Sequence, residues 1–440
     1  MRILKTLETA LEARIHTKAA KVAVIGLGYV GLPLAVEVAR AGFPVLGVEI
    51  DAGKAATLNR GDSYIADVPN EEVRRLVEAG RLSATTRYAA LEDTDILIIC
   101  VPTPLTKSKE PDLSYVVAAA KACVPTLRPD RLVVLESTTY PGTTEEVVRP
   151  VLEESGLRAG SDFYLAFSPE RIDPGNRRFA LRDIPKIVGG VTVTCTRLAE
   201  AFYGRVVRRV VTVSSPTVAE MAKVYENVFR NVNIALVNEL TLLCDRMGVD
   251  VWEVIDAAAT KPYGFMPFYP GPGVGGHCIP VDPYYLSAKA REYDFHARFI
   301  ELAATVNDSM PYYVVSRTTT ALGAAGKTLC GAKILVLGVA YKKDVPDARM
   351  SPSLKIMELL EKRGAAVTYH DPLIPQVALA NPGTIASTPL DAATLAAVDC
   401  VIIATDHSSV DYRQVVETAP LIIDTRNRLR GSTSARVIRL

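Results

Sequence analysis

Cys278 ends the run Gly271-Pro-Gly273-Val-Gly275-Gly276-His277 and is followed by Ile-Pro280-Val-Asp282. Backbone stripped of side chains can bring N–H groups against a phosphate, and rigid prolines can hold a thiol open to substrate. A thiolate in such a place can attack an electrophilic carbon. The ordinary alternative is an inert, buried cysteine. That alternative suits most of Cys100, Cys123, Cys195, Cys244, Cys330 and Cys400, which lie in apolar patterns. Seven scattered cysteines without a CxxC pair suggest neither a disulfide framework nor a zinc site. His277 could orient the loop, contact a ligand or simply pack. A second constellation lies in AEMAKVYENVFRNVNIALVNEL, where Glu220, Lys223, Asn227 and Arg230 recur at steps of three and four. Helical geometry puts them on one side. A solvent-facing side is the bland reading. The neighbours Met221, Val224, Val228, Phe229, Ile234 and Leu236 instead predict a helix buried nearly all round. Buried charge needs a partner, and a phosphate-bearing substrate would supply one.

Gly26-Leu-Gly28-Tyr-Val-Gly31 follows the strand-like KVAVI and opens a helical stretch at 32–41. The three glycines allow a tight turn, close approach of a pyrophosphate, and close helix–strand packing. The helix start offers N–H groups and a positive dipole end to phosphate. Alone the pattern is weak, but strand, turn, helix and a second strand VLGVE stand in order. Glu49 ends that second strand, where an acid binds ribose hydroxyls and repels a 2′-phosphate. The expected cofactor is therefore NAD. Asp51 competes for the role but lies beyond the strand.

Around these residues, apolar runs alternate with helical patterns from Lys21 to about Val213: KVAVIGLG, VLGVEI, DILIICVPTP, RLVVLESTT, DFYLAFSPE and RRVVTVSS. That alternation predicts a parallel sheet covered on both faces. From Pro216 to about Gly248 the pattern is helical, a proline-glycine loop follows, and helices resume at Leu286. KILVLGVAY, AAVTYHDP, CVIIATDH and LIIDTRN then predict a second α/β region with one glycine at its first turn. Lys342, Lys343 and Arg349 follow that turn, where such sheets bind ligands, unless they form only a solvated basic loop. The expected division is 1–215, a dinucleotide-binding α/β domain; 216–325, a helical domain with the cysteine loop; and 326–440, a second α/β domain. A long helix joins the α/β parts.

Fifty basic residues against 49 acidic ones give a net charge of +1, no footprint for nucleic acid or an anionic membrane. No apolar run approaches the ~20 residues of a membrane span. The opening Met1 to Lys21 lacks a secretion signal's apolar core and reads as a helix with Leu4, Leu7 and Leu11 on one side. A cytoplasmic protein is expected.

Together the segments VIGLGYVGLP, CVPTPL, ESTTYPGTT, FSPERIDPGN, AEMAKVYENVFRNVNIALVNEL, FYPGPGVGGHCIPVDPYYL and GVAYKKDVPDARMSP resemble the UDP-glucose/UDP-N-acetylglucosamine/UDP-N-acetylmannosamine dehydrogenase family. The loop with its preceding FMPFYPGPG looks most like the bacterial UDP-N-acetylglucosamine branch. The resemblance implies an N-terminal Rossmann domain, a central helical dimerisation region and a C-terminal Rossmann-like UDP-binding domain. It also implies a four-electron oxidation with two NAD, a nucleotide-sugar substrate, and a dimer or larger assembly. Cys278 matches the nucleophile that forms a thiohemiacetal and then a thioester. Glu170 matches an acid/base carboxylate that assists water, Lys223 a lysine that handles the proton or oxyanion, and Asn227 and Asp282 water-organising partners. For the cofactor it implies Gly26, Gly28, Tyr29, Val30, Gly31, Glu49, Lys54, Thr103, Thr138 and Arg349, with Thr138 also lining the reaction side. For the substrate it implies Glu170, Arg171, Lys223, Asn227, Arg230, the Tyr269–Gly275 backbone with Tyr269, Gly271, Gly273 and Gly275, and Tyr341 and Lys342; Arg426 is a further candidate.

Two departures matter. Pro174 stands where glucose-type enzymes carry a second glutamate, and Val281 where they carry lysine. Both leave the sugar open: UDP-N-acetylglucosamine first, then UDP-glucose or a thymidine nucleotide. A two-electron dehydrogenase releasing one NADH, and a non-catalytic nucleotide-sugar sensor releasing none, are the competing readings.

Overall fold

The computed structural model describes residues 9–65, 67–106, 109–173, 175, 179–379 and 383–440. Leu4 and Leu7 of the expected N-terminal helix, and Pro174, lie outside them. The chain divides into two compact units, residues 1–226 with 284–295, and residues 227–283 with 296–440.

In the first unit the strands are β1 (Val22–Ile25), β2 (Val45–Val48), β3 (Leu82–Thr85), β4 (Ile96–Ile99), β5 (Leu132–Leu135), β6 (Tyr164–Phe167), β7 (Lys186–Gly190) and β8 (Val210–Thr212). Their order is β3-β2-β1-β4-β5-β6-β7-β8. The first six form the parallel doubly wound arrangement, whose switch point lies between β1 and β4. The expectation of an all-parallel sheet needs correction, because β7 runs antiparallel to β6. The strands β3 and β7 were not among the sequence expectations. LSAT is short and half-polar, and KIVGG begins with a lysine and ends in glycines, so neither carries a long apolar run.

The helices are α1 (Ala10–His16), α2 (Gly31–Arg40), α3 (Ala52–Asn59), α4 (Asn70–Glu78), α5 (Ser114–Cys123), α6 (Arg149–Glu153) and α7 (Val193–Tyr203). Alternation along the strands sorts side chains to two faces. Val22, Val24, Ile96, Ile98 and Val134 pack with Leu34 and Val38 of α2 and Leu198 and Phe202 of α7. Ala23, Ile25, Leu97, Ile99 and Val133 pack with Val116 and Ala120 of α5 and Leu152 of α6. Burial on both faces explains the continuous apolar runs.

The long α8 (Pro216–Met247) leaves the first unit at Glu226 and enters the second at Asn227. After it come α9 (Val251–Ala258), α10 (Asp282–Arg291) and α11 (Arg298–Ala324). The helix after the cysteine loop therefore starts at Asp282, not at the expected Leu286. Pro283 is tolerated in the first turn, where its missing N–H has no helical partner to lose.

In the second unit, α11 runs into β9 (Lys333–Leu337), followed by α12 (Pro352–Lys362), β10 (Ala366–His370), the hairpin β11 (Gln376–Ala378) and β12 (Thr384–Ala386), α13 (Ala392–Ala397), β13 (Cys400–Ile403), α14 (Tyr412–Thr418), β14 (Ile422–Asp424) and β15 (Val437–Arg439). The main sheet is β10-β9-β13-β14-β15, with every pair parallel. Met310, Val314 and Leu322 of α11 and Ile356 and Leu360 of α12 cover one face. Leu395 of α13 and Val415 of α14 cover the other.

Candidate active site

At the first switch point each glycine of the turn has a separate physical reason. Gly26 has φ +89° and a Cβ there would lie 2.6 Å from the Cys100 carbonyl oxygen. At Gly31 a Cβ would lie 1.8 Å from the Gly26 carbonyl oxygen. Gly28 would meet nothing within 4 Å, so the chain is bare on the side a phosphate can approach. Val30 caps α2 without a side-chain hydrogen bond, which leaves the helix start to an anion. Tyr29 beside it is exposed.

Glu49 is buried at the end of β2, accepting hydrogen bonds from the Leu27 amide (3.0 Å) and the Asp51 amide (3.1 Å). Asp51 is spent on capping α3 through the Gly53 and Lys54 amides. That separates the two acids: Glu49 faces the turn and Asp51 serves its helix. Lys54 lies over the Tyr64 ring, and the Tyr64 hydroxyl donates to the Leu27 carbonyl. These features fit NAD, with an open glycine, an uncapped helix start and an acid held against the turn.

Thr103 and Thr138 follow β4 and β5 at their carboxyl ends, and the Thr103 hydroxyl donates to the Thr138 carbonyl at 2.7 Å. The Tyr285 hydroxyl donates to the Thr103 carbonyl. Glu170 follows β6 and is buried. One of its oxygens accepts from the Arg171 and Ile172 amides at 2.6 and 2.7 Å, the other from Lys186 Nζ at 2.9 Å. Burial pushes Glu170 up, but the Lys186 charge and these hydrogen bonds outweigh it and hold the carboxyl below its ordinary range. These contacts favour its carboxylate form. The Arg171 guanidinium pairs with Glu226 at 2.6 Å and donates to the Pro185 carbonyl.

The polar stripe of α8 is where the structure departs most from the sequence reading. Glu220, Lys223 and Asn227 are buried and Arg230 is half-buried, whereas Met221 (42 % exposed), Phe229 (40 %) and Leu236 (64 %) are open. Only part of the helix is enclosed, and the enclosed part carries the polar residues together with Ala219, Val224, Ala235 and Val237. Glu220 accepts from the Gly142 amide and from the amide and hydroxyl of Thr144, at 2.6 to 2.8 Å. Burial, partly offset by these bonds, pushes it up to about 7.

In the second unit the Asn227 amide donates to Asp282, and Arg230 donates to the Asn227 side-chain oxygen. The carbonyl of Cys278 accepts from the Val281 and Asp282 amides at 3.1 and 2.8 Å, so the backbone is already winding toward α10. Half-buried Cys278 therefore stands in the turn that leads into α10. Five of the remaining cysteines are buried and Cys330 is exposed. Val281 is also buried.

The glycines of the loop are also needed for packing. A Cβ at Gly271 would lie 2.7 Å from Arg426 Nη1, one at Gly275 2.7 Å from Tyr341 Cβ, and one at Gly276 (φ +87°) 2.9 Å from the Tyr341 ring. Gly273 (φ +128°) abuts Pro352 and the Asn307 carbonyl. The Gly271 amide donates to Asn238 at 3.1 Å. Tyr269 stacks on Trp252 and donates to Asp256 at 2.9 Å.

Tyr341 and half-buried Lys342 follow β9 at the second switch point, which repeats the first in outline. Gly338 has φ +82°, a Cβ there would lie 2.3 Å from the Thr405 carbonyl oxygen, and Asp371 accepts from the Val339 and Ala340 amides as Glu49 accepts from Leu27. Lys343 pairs with Asp406. Arg349 makes a two-nitrogen pair with Asp347, and its Nη2 lies 3.4 Å from His277 Nδ1, which gives His277 a definite neighbour. Arg426 is bound through Nε to the Ala404 carbonyl at 2.8 Å.

Sequence reasoning gave no role to Lys186, Glu136 or Tyr285. An acid ending the buried run LVVL and a lysine opening KIVGG were the available signals.

A dinucleotide turn on one doubly wound sheet, a second such sheet, and a thiol in the turn that leads into α10 define a nucleotide-dependent dehydrogenase with two nucleotide sites. Family models agree segment by segment: the NAD-binding domain of the UDP-glucose/GDP-mannose dehydrogenase family matches residues 20–207, its central domain 217–309 and its UDP-binding domain 335–431. The chain belongs to the UDP-glucose/GDP-mannose dehydrogenase family, NAD-dependent oxidoreductases acting on nucleotide sugars. It is 40 % identical over 394 residues to a UDP-N-acetyl-D-glucosamine 6-dehydrogenase of Pseudomonas aeruginosa, covering 88 % of this chain and 90 % of that one. A UDP-D-ManNAc dehydrogenase from Pyrococcus horikoshii superposes with TM-score 0.87 at 35 % identity, over 95 % of this chain and 98 % of that one. A UDP-glucose dehydrogenase from Pyrobaculum islandicum gives 0.82 at 30 % identity, over 94 % and 96 %. Among the described residues no helix is long and apolar enough to cross a membrane, and no group of three or more His, Cys, Asp or Glu could hold a metal.

Proposed function

We propose that the chain oxidises the C6 hydroxymethyl group of a UDP-N-acetylhexosamine, UDP-N-acetylglucosamine first, to the uronic acid through a covalent bond to Cys278. Two NAD bound in succession would supply the oxidising power, one for the hydride of the alcohol and one for that of the sulfur adduct. The Gly26–Gly31 turn, Glu49 and Lys54 hold that cofactor, with Thr103 and Thr138 on its reacting side. Cys278 sulfur bonds to the aldehyde carbon as the C=O π bond opens to an oxyanion, and the hydrogen already on that now tetrahedral carbon can leave as hydride while the thioester carbonyl forms. Lys223 steadies the oxyanion electrostatically. Water then bonds to the thioester carbon, the C–S bond breaks, the sulfur leaves as thiolate, and Glu170 takes a proton of the water. Asn227 and Asp282 orient the reacting oxygen, and Arg230, Tyr341, Lys342, Arg426 and the glycine loop hold the nucleotide sugar.

The observation that carries this reading is the half-buried thiol whose carbonyl is tied to Asp282, itself bonded to Asn227. The P. aeruginosa relative supports the choice of sugar. A second copy of the chain is proposed to cover the open apolar side of α8. NADH absorbance with UDP-N-acetylglucosamine, UDP-N-acetylmannosamine, UDP-glucose and dTDP-glucose tests the substrate. The largest kcat/KM is expected with UDP-N-acetylglucosamine, and a clear preference for a glucose nucleotide would overturn that choice.

A further inference from the structure

A buried cluster lies behind Glu170. Lys186 Nζ sits 2.8 Å from Glu136 and 2.9 Å from Glu170, and 5.4 Å from the centre of the Tyr203 ring. The Tyr203 hydroxyl donates to the other oxygen of Glu136. Lys186, Glu136, Glu170 and Tyr203 are all buried. They come from the start of β7, the end of β5, the end of β6 and α7, so four separate elements meet at one ammonium.

We infer that Lys186 is a positioning residue for the oxidation, holding the Glu170 carboxylate charged and in one orientation, with Glu136 and Tyr203 fixing the lysine from behind. The inference rests on the reading of Glu170 as the base for thioester hydrolysis. Two backbone amides saturate one Glu170 oxygen, and Lys186 takes a single site on the other, leaving that oxygen a lone pair for water. An isolated buried carboxylate would take up a proton and lose its basicity.

The charged and titratable groups around Glu170 are Lys186, Glu136, Tyr203, the Cys100 thiol at the end of β4, and Arg171, whose guanidinium is committed to Glu226. Lys186 is the positive charge turned onto the carboxylate. Burial opposes its charge, but the two carboxylates outweigh burial and keep it an ammonium. Burial pushes Glu136 up, and Glu170 adds to that shift.

The test uses the full chain labelled with 13C at glutamate carboxyls, Glu170→Gln assigning the signal, together with rapid-quench measurement of acid release. In the wild type Glu170 should stay ionised to below pH 4.5, its ordinary midpoint. In Lys186→Met the midpoint should rise by about one to three pH units. Both NADH of the first turnover should still form, the thioester should accumulate, and NAD affinity should hold. Lys186→Arg should return the midpoint toward wild type. An unmoved midpoint in Lys186→Met, or an arginine variant no better than methionine, overturns the inference. If Lys186→Met does not fold, Lys186→Gln decides: the Glu170 midpoint should again rise above wild type, and an unmoved midpoint overturns the inference. A raised midpoint with undiminished acid release would instead remove Glu170 from the hydrolytic role, so the two failures are distinguishable.

Discussion

At the scale of single residues, Cys278 is singled out by setting rather than by type, since five other cysteines are buried. Cys278→Ala should abolish uronic acid formation while calorimetric NAD affinity stays within about twofold. Acid production by that variant would refute the covalent step. Glu220 yields a prediction of a different kind. Its carboxyl is raised in the fold to about 7 from an ordinary 4.5, so the folded state binds the proton more tightly than the unfolded chain. Its effect on stability is therefore unfavourable above pH 7, vanishes below pH 4.5, and grows as pH rises between them. The full effect is at most ~3 kcal/mol, from 1.4 kcal/mol per pKa unit. Melting temperature should fall across that window in the wild type, with a smaller slope in Glu220→Gln. Equal slopes would contradict the raised carboxyl.

At the scale of elements, the two glycine turns should fail differently when substituted. Gly31→Ala drives a methyl to 1.8 Å from a backbone oxygen, so α2 must move away from the turn. A cost of about 1–3 kcal/mol and a loss of NAD affinity are expected. Gly276→Ala combines φ +87° with a Tyr341 ring atom 2.9 Å away. It should raise KM for the nucleotide sugar, through strain of about 1–2 kcal/mol, and leave the NAD dissociation constant unchanged. Isothermal titration with each ligand separates the two.

Elements were legible in the sequence where one periodicity acted alone. KVAVI, DILII and RLVVL read as strands because both faces are buried, and the run from Pro216 read as a helix to within a residue of its end at Met247. The antiparallel β7 was hidden because Lys186 and two glycines break its apolar run. The polar stripe of α8 was recognised as buried, but burial nearly all round was not found: Val224 is enclosed, whereas Met221, Phe229 and Leu236 are open. A sequence shows that Met221 and Leu236 are apolar, not whether its own fold covers them. Likewise Lys186 and Glu136 lie 50 residues apart, and only the strand order puts them in contact.

At the scale of the whole molecule, α8 presents Val218, Met221, Tyr225, Phe229, Leu236 and Leu243 to solvent, at spacings that keep them on one side of the helix. Apolar area of this kind marks an interaction surface. Leu236→Glu should convert a dimer or larger assembly to monomer in sedimentation velocity. A wild type that sediments as a monomer would contradict the proposed second copy. The NAD-binding and UDP-binding domains each carry a switch point, with Glu49 against the turn of one and Asp371 against the turn of the other. A four-electron oxidation requires the nucleotide sugar to remain held while spent cofactor is exchanged for fresh.

The most direct test is the ratio of NADH formed to UDP-sugar consumed, with the sugar limiting and the products resolved by mass spectrometry. Two NADH per uronic acid, with no free aldehyde, is the result predicted. One NADH per sugar, with an aldehyde or ketone as the product, would contradict the account.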